Sequence, residues 1–127
     1  IGNFLPSIIY THHYGDLNVD HQATHRAVMT ACRPQPNFSV KEIYTFEIVS
    51  ATHWQSVSMG SFFSPNYFVD VSDFINKKID ALRCYKSEMR EYPHARSYGA
   101  LKNLSKFRGS SVGLQDAEAF CVERLIN

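Results

Sequence analysis

Imidazole and carboxylate are the side chains that bind divalent zinc and move protons near neutral pH. One stretch of the sequence concentrates them: Thr11-His12-His13-Tyr14-Gly15-Asp16-Leu17-Asn18-Val19-Asp20-His21-Gln22-Ala23-Thr24-His25. Four of the six histidines fall within it, interleaved with two aspartates and an asparagine. A hydrolytic metal site is the chemistry this pattern suggests. His21 and His25 stand four apart, so on a helix both point to one side and can in principle hold one ion between them. No Glu follows His21, which sets the pair apart from the His-Glu-x-x-His arrangement of the zincins. The competing reading is that His25 packs beside its helix or faces solvent.

Composition bounds the remaining choices. The chain has 127 residues, 13 basic and 12 acidic side chains, a formal charge of +1 and 44% hydrophobic residues, which together suit one ordinary globular domain over 1–127. That apolar content offsets the entropy of ordering the chain, so a collagen-like repeat or a disordered charged tail is excluded. A net charge near zero lacks the footprint of a general nucleic-acid binder. No run approaches the roughly 18 apolar residues of a membrane span, and the opening Ile1-Gly2-Asn3-Phe4-Leu5-Pro6 lacks the pattern of a signal peptide. Cys32, Cys84 and Cys121 are odd in number and widely spaced, which suits reduced thiols in a cytoplasmic protein. The first residue is not Met, and the expectation is that the chain is a piece of a longer protein.

The elements that must position the cluster follow from hydrophobic pattern. A β-branched run over 7–11 predicts a strand that stops in a polar loop over 12–18. Ala23, Ala27, Val28 and Ala31 recur at helical spacing, Asn18 or Asp20 can cap the start, and Pro34 and Pro36 follow, so a helix is expected over 19–32. Residues 43–49 read as a second strand running into the polar loop 50–55. Tyr67-Phe68-Val69-Asp70-Val71 gives a short extended segment. Phe74, Ile75, Ile79, Leu82 and Tyr85 share one face of an amphipathic helix expected over 73–89, which Pro93 closes. A third helix is expected over 97–107, with Gly109 as its stop. The tail over 118–126 suits strand or helix equally. Strands alternating with helices imply an α/β layered, partial Rossmann-like fold whose opening βαβ units are missing. In such a sheet the ligand crevice lies just past the carboxyl ends of the strands, where the histidine cluster falls.

Six short motifs then occur in order: His13-x-x-Asp16-x-Asn18-x-Asp20-His21, Ser50-Ala51-Thr52-His53-Trp54, Pro65-Asn66-Tyr67-Phe68-Val69-Asp70, Lys77-Lys78-x-x-Ala81-Leu82, Tyr92-Pro93-His94-Ala95-Arg96-Ser97, and Arg108-Gly109 with Ala117-Glu118-Ala119-Phe120. Together they resemble the carboxyl-terminal part of the LmbE-like, or PIG-L, family of zinc-dependent de-N-acetylases. The resemblance implies a Rossmann-like domain that removes an acetyl group from an N-acetylated amino sugar. It also implies that His21 is one zinc ligand, with two more ligands and a general base supplied by an amino-terminal His-Pro-Asp-Asp motif. That motif is absent from this sequence. Three protein ligands and a water make the open site that activates the water, so the expectation is an inactive fragment whose missing amino-terminal segment completes the zinc site.

The resemblance assigns further roles. Many members carry His where this chain has Asn18, which can donate a hydrogen bond to a developing oxyanion but cannot carry imidazolium charge; His13 or His94 is the substitute. Asp20 would orient its neighbours or simply cap the helix, and Asp16 would brace the loop. His53, Trp54, Asn66 and Tyr67 suit the walls of a sugar pocket, with core packing the alternative for Trp54 and Tyr67. His94 and Arg96 suit an anionic group, with a solvated loop or an ion pair to Glu88 or Glu91 the alternative. Rival functions are an amidase of the same architecture acting on a non-sugar amide and a non-catalytic sugar-binding or scaffolding module. A homo-oligomer is left open.

Overall fold

The structure is a computed structural model and describes residues 3–127. Ile8, Ile9 and Thr11 place β-branched side chains where a pleated strand accepts them, and they form β1 (Ile8–His12). Asn18 then stops the extended backbone and caps α1 (Val19–Ala31), its side chain accepting the Asp20 N–H. Of the two capping candidates, Asn18 does the work. After the exposed turn at residues 33–37, β2 (Glu42–Phe46) runs parallel to β1 in the register Ile8 with Glu42 through His12 with Phe46. A parallel pair requires a crossover, and α1 is that crossover. β3 (Tyr67–Asp70), α2 (Ile75–Leu82), α3 (Tyr98–Ser110) and β4 (Ala117–Leu125) follow, with one turn of 3-10 helix at Val57–Met59. The strands form a mixed sheet in the order β1-β2-β4-β3. The expected α/β architecture is therefore present.

Contacts divide the chain into two compact units, one running to Tyr67 and including Phe120–Asn127, the other Phe68–Ala119. In the first, Cys32, Val40 and Ile43 form a core with Ile9, Val28, Met29 and Phe38 packed against it. Val28, Met29 and Cys32 bring α1 onto the side of the sheet that Ile9 and Ile43 share, as the period-2 and period-3.6 patterns require. Tyr10 and Tyr67 stack on either side of Tyr44 with ring centroids at 5.4 Å and 4.9 Å. The Tyr44 hydroxyl donates to the Glu42 carboxylate, and that bond, with burial and the neighbouring negative charge, pushes its pKa up to about 12. The tail left undecided by its pattern is strand: its second half pairs antiparallel with β2, from Glu42 with Leu125 to Phe46 with Phe120, across an irregularity between Ile43 and Tyr44.

The second unit departs from its sequence pattern twice. α2 ends at Leu82, not near 89, and the chain continues in i to i+3 turns such as Cys84 N–H to Ala81 and Tyr85 N–H to Leu82. Tyr85, the residue that would extend the apolar stripe, is 62% exposed, so no packing sustains a further turn. α3 is capped by Ser97, whose side chain accepts the Ala100 N–H, and runs through Gly109 to Ser110. Gly109 is required for a different reason: a Cβ there would lie 2.8 Å from Asp116 N and Leu114 O. The buried Asp116 carboxylate accepts the Ser105 hydroxyl at 2.9 Å. No helix among the described residues is long and apolar enough to cross a membrane.

Gly109→Ala is expected to destabilise the protein by about 1–3 kcal/mol through this overpacking, whereas Gly99→Ala, with its nearest contact at 3.4 Å, is tolerated; thermal melts of both variants check the contrast. Alkaline stability offers a second check. The raised Tyr44 pKa means its contribution is intact below about pH 10, the unfolded value, and is lost as the pH rises through about 12. Denaturant titrations between these limits are expected to show a steeper loss for the natural protein than for Tyr44→Phe.

Candidate functional site

Because β1 and β2 are parallel, both carboxyl ends open on one edge of the sheet, and the loops over 13–18 and 47–55 leave from there. Between the loops lies Asp16, fully buried at 0% exposure. A buried carboxylate is tolerated only where donors replace water. Here Oδ1 accepts the Asn18 N–H at 2.8 Å and Oδ2 accepts the Thr52 hydroxyl at 2.9 Å. Thr52 Oγ1 in turn accepts the Ile48 N–H at 2.7 Å, and the Leu17 N–H reaches the Ala51 carbonyl at 2.9 Å. Gln22 Nε2 donates to the Asp16 carbonyl at 2.7 Å, tying the first turn of α1 to the same loop. Gly15 lets a third segment approach: a Cβ there would fall 1.9 Å from the Ser61 carbonyl oxygen.

The histidines divide by what they touch. His21 places Nδ1 3.1 Å from Asp16 Oδ1 without making a hydrogen bond, and its ring stacks on His12 at 4.1 Å and 18°. Burial holds the His12 pKa below its ordinary value, helped by the His21 ring and opposed by Asp16. His13 is buried, and its Nε2 lies 3.0 Å from the Ser61 carbonyl. A carbonyl only accepts, so this nitrogen carries the proton. His25 is also buried, with Nδ1 2.9 Å from the His12 carbonyl, so it fastens α1 to the end of β1. Packing, one of the two alternatives for His25, is what the structure shows.

The other candidate residues sit as follows. Asn18 is the exposed cap of α1, and Asp20 is exposed in the first turn. It is Asp16, assigned only to the loop by sequence, that lies against His21. His53 is exposed with Nε2 2.9 Å from Glu47 Oε2, and the neighbouring Trp54 is 52% exposed, so Trp54 does not pack as core. Asn66 extends the pairing of β4, giving its N–H to Phe120 and accepting the Val122 N–H. Tyr67 stacks on Tyr44 while remaining 40% exposed. In the second unit, His94 Nδ1 accepts the Arg96 N–H at 3.0 Å, and the Arg96 guanidinium pairs with Glu88 at 2.8 Å, one of the alternatives open to it.

Sequence reasoning did not single out Gly15, Gln55 or Ser61, and it quoted Thr52 only within a motif. A glycine beside an aspartate in a histidine-rich loop was the available signal, but nothing local reveals which distant segment needs the space. The end of β1 also holds buried polar atoms without hydrogen-bond partners among the described residues: Thr11 Oγ1, His12 Nδ1, His13 Nδ1 and Gln55 Oε1. Such atoms mark a place where a polar group is accommodated. Zinc fits it in part. An imidazole backed by a carboxylate is the arrangement of a zinc-binding histidine, and His21 has it; yet among the described residues no three His, Cys, Asp or Glu side chains are grouped to hold a metal ion.

No protein-family model and no curated protein sequence matches the chain. Solved structures do match it. The N,N'-diacetylchitobiose deacetylase from Pyrococcus horikoshii is similar over 96% of this chain and 47% of its own, with a TM-score of 0.69 and 18% identity. A conserved protein from Thermus thermophilus is similar over 98% of this chain and 55% of its own, with a TM-score of 0.74 and 19% identity. At this identity the likeness establishes a shared α/β fold. The chain spans about half the length of these structures.

Thr52→Val is expected to destabilise the protein by about 1–3 kcal/mol, because it takes one partner from the buried Asp16 carboxylate and another from the Ile48 N–H. Urea unfolding at pH 7 measures it.

Proposed function

We propose that this chain is the carboxyl-terminal part of an LmbE-like, PIG-L-type deacetylase that hydrolyses the acetamido group of an N-acetylated amino sugar. One observation carries the reading: a carboxylate-backed imidazole, His21, stands past the carboxyl end of a parallel strand pair, in a fold shared with an N,N'-diacetylchitobiose deacetylase. His21 would be one zinc ligand, and the remaining ligands and the general base would come from an amino-terminal segment of the same protein. Zinc, when bound by such a set, lowers the pKa of its water and polarises the amide carbonyl.

The chain's own residues would then bind and orient. Asn18 uses its side-chain oxygen on the Asp20 N–H, which leaves its amide N–H groups as donors toward an oxyanion. His13, with Nε2 committed to Ser61, presents an accepting Nδ1 when neutral and becomes a second donor only when protonated. Asp20 adds negative charge beside His21. Trp54 and His53 share an exposed loop and offer an aromatic face beside a polar group, which suits a pyranose; Asn66 and Tyr67 would extend that wall.

The second reading is a sugar-binding module without catalysis. Zinc analysis and acetate release from N-acetylglucosamine derivatives separate the two. The intact protein is expected to hold zinc stoichiometrically and to release acetate, and the 127-residue chain alone to hold zinc weakly and show no enzyme-like turnover. His21→Ala is expected to empty the intact protein of zinc and His25→Ala to lower stability with zinc retained. Equal loss of metal in both variants overturns the ligand assignment, and an intact protein without zinc supports the binding module.

A further inference from the structure

We propose that Asp16 is a positioning residue that sets the tautomer of His21, holding the proton on Nδ1 and leaving the Nε2 lone pair bare. The proposed function gives that lone pair its use, as a ligand to zinc; the tautomer itself follows from the geometry of the two side chains.

The carboxylate is fixed independently of the ring it faces. Asp16 is fully buried, with the Asn18 N–H on Oδ1 and the Thr52 hydroxyl on Oδ2, so two loops determine where Oδ1 stands. His21 Nδ1 lies 3.1 Å from that oxygen, is buried, and makes no hydrogen bond among the described residues. An ionised carboxylate has lone pairs only. A bare Nδ1 would set two lone pairs against each other in a buried space, whereas an N–H is attracted. The tautomer of a neutral imidazole is decided by the hydrogen bond open to one of its nitrogens, and here the Asp16 Oδ1 acceptor stands 3.1 Å from Nδ1. Stacking on His12 at 4.1 Å restrains the ring from turning over and exchanging its nitrogens.

Two neighbours supply internal references. His13 donates from Nε2 to Ser61, and His25 donates from Nδ1 to His12, so the same region contains one histidine of each tautomer. The test is long-range 1H–15N correlation spectroscopy of the labelled protein, with the pH raised until the ring 15N shifts no longer change, and with His21→Gln used to assign the resonances. The His21 pattern is expected to match that of His25 and to differ from that of His13. Asp16→Ala is expected to convert His21 to the Nε2–H form, and Asp16→Asn, which keeps an accepting oxygen at the same place, to restore Nδ1–H. A merely structural role for Asp16 would not produce this difference.

A natural protein with His21 in the Nε2–H form overturns the proposal, as does an unchanged His21 in Asp16→Ala when the His13 and His25 patterns show the loop intact. If Asp16→Ala does not fold, the natural protein's own tautomer decides. Adding Zn2+ to the intact protein tests the other reading separately. A shift of His21 Nε2 supports zinc ligation, and no shift overturns that ligation while the tautomer result stands.

Discussion

A carboxylate removed from water must recover its solvation from the protein or give up its charge. Asp16 meets this requirement with groups from separate segments: the Asn18 amide, the Thr52 hydroxyl and, facing them, the His21 ring. The constraint is reciprocal. Thr52 is itself oriented by the Ile48 N–H, so the turn after β2 is shaped by the demands of a residue after β1. Gly15 completes the arrangement by admitting the Ser61 carbonyl, which then anchors His13. One buried negative charge organises both loops at the carboxyl edge of the sheet.

The histidine-rich stretch is correspondingly not a uniform metal-binding tract. His25 and His13 spend a ring nitrogen on backbone carbonyls and serve mainly to fasten α1 and the 56–61 segment to the end of β1. His12 contributes its carbonyl to one neighbour and its ring face to another. Within this stretch, His21 is the histidine that combines partial exposure with a carboxylate behind it. The fold around it is shared with the solved structure of a deacetylase.

Much of the frame was legible in the sequence, because strong local patterns decide it. The β-branched run of β1 and the helical spacing of α1, with Asn18 among its candidate caps, each located an element to within a residue or two. Patterns failed where partners decide. The stripe of α2 continued to Tyr85, but a helix turn persists only if something covers it. The final segment suited either state until β2 offered it a ladder. Gly109 read as a stop because local reasoning cannot see the 114–116 backbone crossing it. The site was legible in kind and not in arrangement: residue type marked the loop, while the choice of Asp16 over Asp20 as the neighbour of His21 depends on which carboxylate the fold buries.

The bonds from Asp16 to Asn18 and Thr52, with the one from Leu17 to Ala51, join two turns into a closed ring. A ring of that kind has a set circumference. An inserted or deleted residue in either turn would unseat the other, so the lengths of the two must change together through descent or not at all. The exposed stretch over 33–37, between α1 and β2, carries none of these bonds, so a change of length there would leave the ring intact.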